Sequence, residues 1–304
     1  MIESVLHHVL TFHQPKSDAQ WYLRGPMENK FILRVDCPDR VGLVHDITGI
    51  LSERGANIIS NDEFVDPDNK HFYMRTVFVH ENGNGEINDS LREILGPEAQ
   101  IRVVPPGKKR AVILATKEYH CLGDLLMRNR FDELNMDVLC VISNHEILKS
   151  LTESFEVPFH HVSHEGVSRD GHEQMIKAII DSYNPDILVL AKYMRILNKS
   201  FVGAFPLSIV NIHHSFLPAF IGASPYRQAY QRGVKIIGAT AHYVTEDLDE
   251  GPIIVQDVIP VSHQMDLKEM INAGRDVEKV VLARALKLIC EDRVFVYGNK
   301  TVIF

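Results

Sequence analysis

The chain is poor in the features that mark several common function classes. Its four cysteines, Cys37, Cys121, Cys140 and Cys290, are scattered through 304 residues, and no two stand at a CxxC or Cys/His metal spacing. Buried, reduced thiols are therefore expected, rather than a disulfide framework or a structural zinc. No uninterrupted apolar run is long enough to cross a bilayer, and residues 1–12 lack the basic start of a secretory signal, so a cytoplasmic protein is expected. Positive charge is in short supply: Lys and Arg number 32 against 40 Asp and Glu, a net charge of -8. A general nucleic-acid binder needs the opposite balance, because clustered cations must neutralise phosphates. There is no Walker A stretch and no convincing GxGxxG, which leaves nucleoside triphosphate or NAD dependence without support.

What is present fits two domains. Residues 1–27 show no clean hydrophobic period and read as an extension without assigned function. Residues 28–104 follow the order βαββαβ. A strand at Phe31–Val35 leads through the turn Asp36–Gly42 to a helix from Leu43 to Arg54, with Leu43, Ile47, Ile50 and Leu51 on one face. Strands at Asn57–Val65 and His71–Val79, a helix at Ile87–Leu95 and a strand at Ala99–Val104 complete a ferredoxin-like unit. Residues 105–110, Pro-Pro-Gly-Lys-Lys-Arg, read as a stiff basic linker. From 111 to 304 short apolar strands (Ala111–Ala115, Val138–Ile142, Ile187–Ala191, Leu207–Ile212) alternate with helices, the pattern of a Rossmann-like, mostly parallel sheet. Strands return between Lys235 and Val261, and a long helix at Leu267–Cys290 precedes a terminal hairpin.

The first unit resembles an ACT domain, carried by Asp39, Arg40, Val41, Gly42, Leu43 and Val44 and by Gly55-Ala56-Asn57-Ile58. The resemblance implies amino-acid effectors, methionine and glycine acting in opposition, bound at Asp39–Val44. It also implies a homo-oligomer. Gly42 either lets backbone amides approach a ligand at the helix start or only makes the turn.

The most informative stretch runs from Val210 to Gly251. It contains Asn211-Ile212-His213, then Ser215-Phe216-Leu217-Pro218, Gly222, Gly238-Ala239-Thr240-Ala241-His242 and Asp247-Leu248-Asp249-Glu250-Gly251. An amide and an imidazole can donate to a developing oxyanion, and a carboxylate can hold charge and shuttle protons. Asn211 and His213 also fall at the carboxyl end of a predicted strand, where parallel sheets bind ligands. Together these segments resemble the formyltransferase family that uses 10-formyltetrahydrofolate. The resemblance implies Asn211, His213 and Asp249 as the catalytic set. It implies a pterin slot between Met194, Arg195, Ile196 and Leu197 on one side and Val244, Thr245, Glu246 and Asp247 on the other. Folate is then the substrate, and neither a cofactor nor a metal is expected. His242, Lys117, Glu118 and His120 are expected to support the catalytic groups from behind, with a buried structural histidine as the competing reading for His242. His214 reads as structural, Asp247 as shaping its loop, and the cluster His160, His161 and His164 as a surface loop.

One departure bears on the acceptor. Family members that formylate glycinamide ribonucleotide follow the first strand with a loop rich in Gly, Ser and Asn that cradles phosphate. Here that place reads Ala115-Thr116-Lys117-Glu118-Tyr119-His120-Cys121-Leu122-Gly123, with no glycine before Gly123 and an added carboxylate. Without that cradle, water becomes the acceptor. The loop and the ACT-like module together resemble the hydrolytic members of the family, which release formate from 10-formyltetrahydrofolate, balance the folate pool and feed purine synthesis. Transfer to another small amine, or a folate- or amino-acid sensor without turnover, are the alternatives.

Overall fold

The computed structural model describes residues 29–81, 85–105, 107–218 and 225–304. The extension expected at 1–27 and Gly222 lie outside the described residues. The chain divides after residue 106 into two compact units.

The first unit is β1 (Lys30–Pro38), α1 (Leu43–Glu53), β2 (Asn57–Asp66), β3 (His71–Val79), α2 (Gly85–Leu95) and β4 (Gln100–Val104), forming an antiparallel sheet of order β2-β3-β1-β4. Alternate residues Phe31, Leu33, Val35 and Cys37 of β1 are buried, as the two-residue period of a strand requires. They meet Leu43, Ile47, Ile50 and Leu51 of α1 in one core. Gly42 enters α1 with a left-handed φ of 93°, a conformation that glycine adopts without strain.

The second unit contains β5 (Lys109–Ala115), α3 (His120–Arg130), β6 (Met136–Ser143), α4 (Lys149–Glu153), β7 (Phe159–His161), α5 (Arg169–Tyr183), β8 (Ile187–Ala191), α6 (Lys199–Gly203), β9 (Ile209–His213), α7 (Pro225–Arg232), β10 (Ile236–Tyr243), β11 (Ile253–Pro260), α8 (Leu267–Cys290), β12 (Val294–Tyr297) and β13 (Lys300–Ile303). The main sheet has the order β11-β10-β9-β8-β5-β6-β7. Strands β7, β6, β5, β8 and β9 are parallel, and β10 and β11 complete the sheet antiparallel. Both faces of β5 are covered. Ala111, Ile113 and Ala115 pack with residues of α3 and α8, while Val112 and Leu114 pack with Ile176 and Ile180 of α5. This double burial explains the unbroken apolar run. The chain runs outward from β5 to β7 and then returns to β8 on the other side of β5. That reversal opens a crevice at the carboxyl ends of the strands.

Several boundaries differ from the sequence pattern. Lys109 and Arg110 begin β5 instead of ending the linker, because the backbone already pairs with Met136 and Asp137 and Lys109 Nζ lies 3.0 Å from the Asp292 carboxylate. Helix α5 starts at Arg169, where the Ser168 hydroxyl accepts a hydrogen bond from Gly171 N at 3.1 Å. The histidines expected in a surface loop are not all there. His160 and His161 lie on the edge strand β7, with His160 hydrogen-bonded to the Tyr183 hydroxyl at 2.9 Å and His161 Nδ1 3.4 Å from Glu146. Three residues are too short a run for their alternation to show in sequence. All four cysteines are buried and free, and burial pushes the Cys140 and Cys290 thiols up to about 12. Among the described residues no helix is long and apolar enough to cross a membrane.

Candidate active site

Asn211 and His213 stand two residues apart on β9, so both project to the same side of the sheet. The antiparallel ladder places His242 of β10 opposite Asn211 and Thr240 opposite His213. Thr240 then ties down the chain beyond His213: its hydroxyl donates to Ser215 O at 2.9 Å and accepts from Leu217 N at 3.1 Å. Asp249 arrives from the loop between β10 and β11, with a left-handed φ of 57°. That loop folds tightly back on β10. A Cβ added at Gly251 would lie 1.8 Å from the Tyr243 carbonyl oxygen, so only glycine fits there.

Asp249 Oδ1 lies 3.3 Å from His213 Nδ1 and 3.7 Å from His242 Nε2. Burial pushes the Asp249 carboxyl up, but chiefly the hydrogen bond and charge of His213 outweigh it and hold the carboxyl below its usual value. His242 Nδ1 donates to Tyr243 O at 2.8 Å, which leaves Nε2 as an acceptor for the Asn211 amide at 3.2 Å. Burial lowers the pKa of His242, in keeping with a neutral ring. One Asn211 N–H is thereby fixed, and its amide plane with it. Among the described residues the buried Nε2 of His213 has no hydrogen-bond partner. These groups open onto a cavity of about 350 Å³.

Of the residues expected around the pterin, Met194, Arg195, Ile196, Leu197, Val244, Thr245 and Glu246 line that cavity. Asp247 does not. Its carbonyl accepts the Thr245 hydroxyl at 3.2 Å, and Leu248 takes the expected place in the wall.

Two family models match the chain, "Formyl transferase" over residues 109–286 and "ACT domain" over residues 31–96. The formyltetrahydrofolate deformylase of Haemophilus influenzae is 52% identical over 277 residues, covering 91% of this chain and 100% of its own length. The chain belongs to the formyltetrahydrofolate deformylase family. A member from Escherichia coli is 55% identical over 278 residues, covering 90% of this chain and 97% of that protein. The crystal structure of a formyltetrahydrofolate deformylase from Pseudomonas syringae superposes with a TM-score of 0.88 at 41% identity, covering 94% of this chain and 97% of that one.

The residues expected to support the catalytic groups divide. His242 lies against Asn211 at 3.2 Å and Asp249 at 3.7 Å. Lys117 is exposed, and Glu118 and His120 instead face a neighbouring cavity. Glu118 accepts from Arg275 at 2.7 Å, and His120 Nε2 is 2.8 Å from Glu278. The shift has a simple cause. Helix α3 starts at His120 and packs against α8, which brings His120 and Glu118 to residues of that helix.

Sequence reasoning assigned no role to Glu278 or Lys192. Glu278 is only 1% exposed and Lys192 6%. Lys192 Nζ lies 3.2 Å from Glu278 Oε2, and the Tyr226 hydroxyl donates to Oε1 at 2.6 Å. Burial raises the Glu278 pKa, but the His120 hydrogen bond, the Lys192 charge and the Tyr226 hydroxyl bring it down to about 2. A signal existed: Glu278 sits on the buried stripe of α8 beside Val277, Val281 and Leu282. A lone carboxylate on an apolar stripe requires a partner. Donor atoms of His120, Cys121 and Glu278 also lie within 4.8 Å of one another, spacing compatible with a metal. The chemistry of the set does not fit one, because both Glu278 oxygens are already engaged and the Lys192 ammonium supplies the positive charge.

Of the expected effector residues, Leu43 is in the core at 3% exposure, whereas Val41 is 99% exposed. Arg40 pairs with Asp46 at 2.7 Å, and Asp39 N donates to Lys70 O at 2.8 Å. Leu43 therefore packs the helix onto the sheet and is not available to a ligand.

Proposed function

We propose that this protein hydrolyses 10-formyltetrahydrofolate to tetrahydrofolate and formate, within one-carbon metabolism and the supply of formate to purine synthesis. The observation that carries the reading is the Asp249–His213 pair: the other ring nitrogen of His213, Nε2, is buried and without a partner among the described residues, and it shares with Asn211 a cavity of about 350 Å³. The names of the relatives support it. The substrate is the folate itself, and the residues supply the chemistry without a further cofactor.

The N10-formyl group is amide-like, so attack by water places negative charge on its oxygen. The free N–H of Asn211 and the Nε2–H of protonated His213 donate to that oxygen, with His242 fixing the amide beforehand. Asp249 steadies the imidazolium and orients water. The water oxygen bonds to the formyl carbon as the C–N10 bond breaks. One water proton is delivered to N10, and formic acid loses the other. The N-terminal unit binds an amino-acid effector at the turn of Asp39, Arg40, Val41, Gly42 and Val44, methionine and glycine with opposite effects, in a homo-oligomer. The test is formate release by purified protein with no acceptor present, measured again for Asp249→Asn. Release by the wild type and its loss in the variant support the reading, and equal rates refute it.

A further inference from the structure

A second cavity, of about 330 Å³, lies against the catalytic one, and the two share Lys192, Met194 and His214 in their walls. Its other polar residues include Glu118, Arg227, Arg275 and Glu278. A small polar acceptor approaching from this side meets Lys192 before it reaches the formyl group. We propose that Lys192, held on Glu278, is the specificity gate of this enzyme, shutting amines out of the catalytic cavity so that water is the acceptor. The inference rests on the hydrolase reading above.

The geometry favours a gate over a purely structural pair. Lys192 directly follows the fully buried strand β8 and has a left-handed φ of 60°. A non-glycine residue in that region is strained and tends to mark a functional position. Burying a lysine is costly unless it is paired, and a buried ion pair is seldom more stabilising than apolar residues of the same volume. Its retention beside the reacting groups therefore points to a role other than stability. Among the three shared wall residues Lys192 carries the only charge at neutral pH, because burial, with the Lys192 charge, pushes His214 down to about 4. A protonated amine is repelled by the ammonium. A neutral amine finds the Glu278 carboxylate already occupied by Lys192, His120 and Tyr226 and not free to orient its N–H groups.

Opening the gate should convert part of the hydrolysis into formyl transfer. The amine nitrogen would bond to the formyl carbon, the C–N10 bond would break, and the proton lost by the amine would balance the one gained by N10. The probe is hydroxylamine, whose formyl product is a hydroxamate, with the enzyme-free rate subtracted. Wild type is expected to yield formate alone. Lys192→Ala is expected to raise the hydroxamate-to-formate ratio at least tenfold, increasing with hydroxylamine concentration. That ratio does not move when a fold is merely weakened. Lys192→Ala combined with Glu278→Gln removes the unpaired carboxylate should the single variant fail to fold, and it too should transfer above wild type. If the wild type hydrolyses and the folded variants still make no hydroxamate, the gate is overturned while the hydrolase reading stands. If the wild type hydrolyses but transfers as readily as the variants, the gate alone falls; if it releases no formate in water alone, the hydrolase reading falls and the gate with it.

Discussion

The amide of Asn211 is held by the ring of His242 directly across the β9–β10 ladder, at 3.2 Å, and the other nitrogen of that ring is fixed on a backbone carbonyl. The sheet itself thus sets the direction of the amide proposed above to donate to the oxyanion. Asn211→Ala is expected to lower kcat about 100–1,000-fold with little change in KM, as for removal of a comparable preorganised donor. His242→Ala, which leaves the amide present but free to rotate, should cost less. Steady-state formate release from both variants checks the order. A larger loss in His242→Ala would mean that the ring has a part in the chemistry itself.

Gly251 predicts a separation of activity from stability. Its replacement by Ala sets a methyl against the Tyr243 carbonyl, so the loop carrying Asp249 must shift. Activity should fall at least 100-fold, because small misplacements of a reacting group are costly. Circular dichroism should still show a folded protein with a modest fall in Tm.

The exposed apolar side chains of the catalytic cavity should act on binding alone. Met194→Ala and Ile196→Ala are expected to raise KM several-fold, about 1 kcal/mol each, with kcat unchanged. Both residues line the cavity and carry no group that can exchange a proton or donate a hydrogen bond from the side chain. A fall in kcat with constant KM would show that they position the formyl group.

Glu278 makes stability depend on acid pH. Its folded pKa of about 2 lies below the ordinary 4.5. The carboxylate therefore contributes stability above pH 4.5 that is lost as pH falls toward 2, about 3 kcal/mol in full. Glu278→Gln should lower Tm most at neutral pH, where Lys192 is left uncompensated. The gap from wild type should narrow below pH 4.5. Thermal melts across pH would show this, and a gap independent of pH would place the charge elsewhere.

At the N-terminal unit, Gly42→Ala imposes a side chain on a φ of 93° and should distort the effector turn. Basal formate release should be kept while the response to methionine and glycine is lost. Titration calorimetry with each amino acid, beside activity, measures both.

The sequence by itself determined the chemistry and the order of the elements. Period-two alternation marks β1, unbroken apolar runs mark the doubly buried β5 and β8, and the local spacing of Asn211 and His213 on β9 needs only strand geometry to bring them together. Tertiary structure decided what depends on distant elements meeting. Asp249 reaches His213 only because β10 runs antiparallel to β9 and its loop closes over Gly251. Glu118 and His120 meet Arg275 and Glu278 of α8 instead of Asn211, His213 and Asp249, because α3 packs on α8. Burial energy is what joins Lys192 to Glu278. Neither charge is tolerable alone in the core, and the partner each requires is chosen by the packing of α8 on the sheet, which no local pattern records.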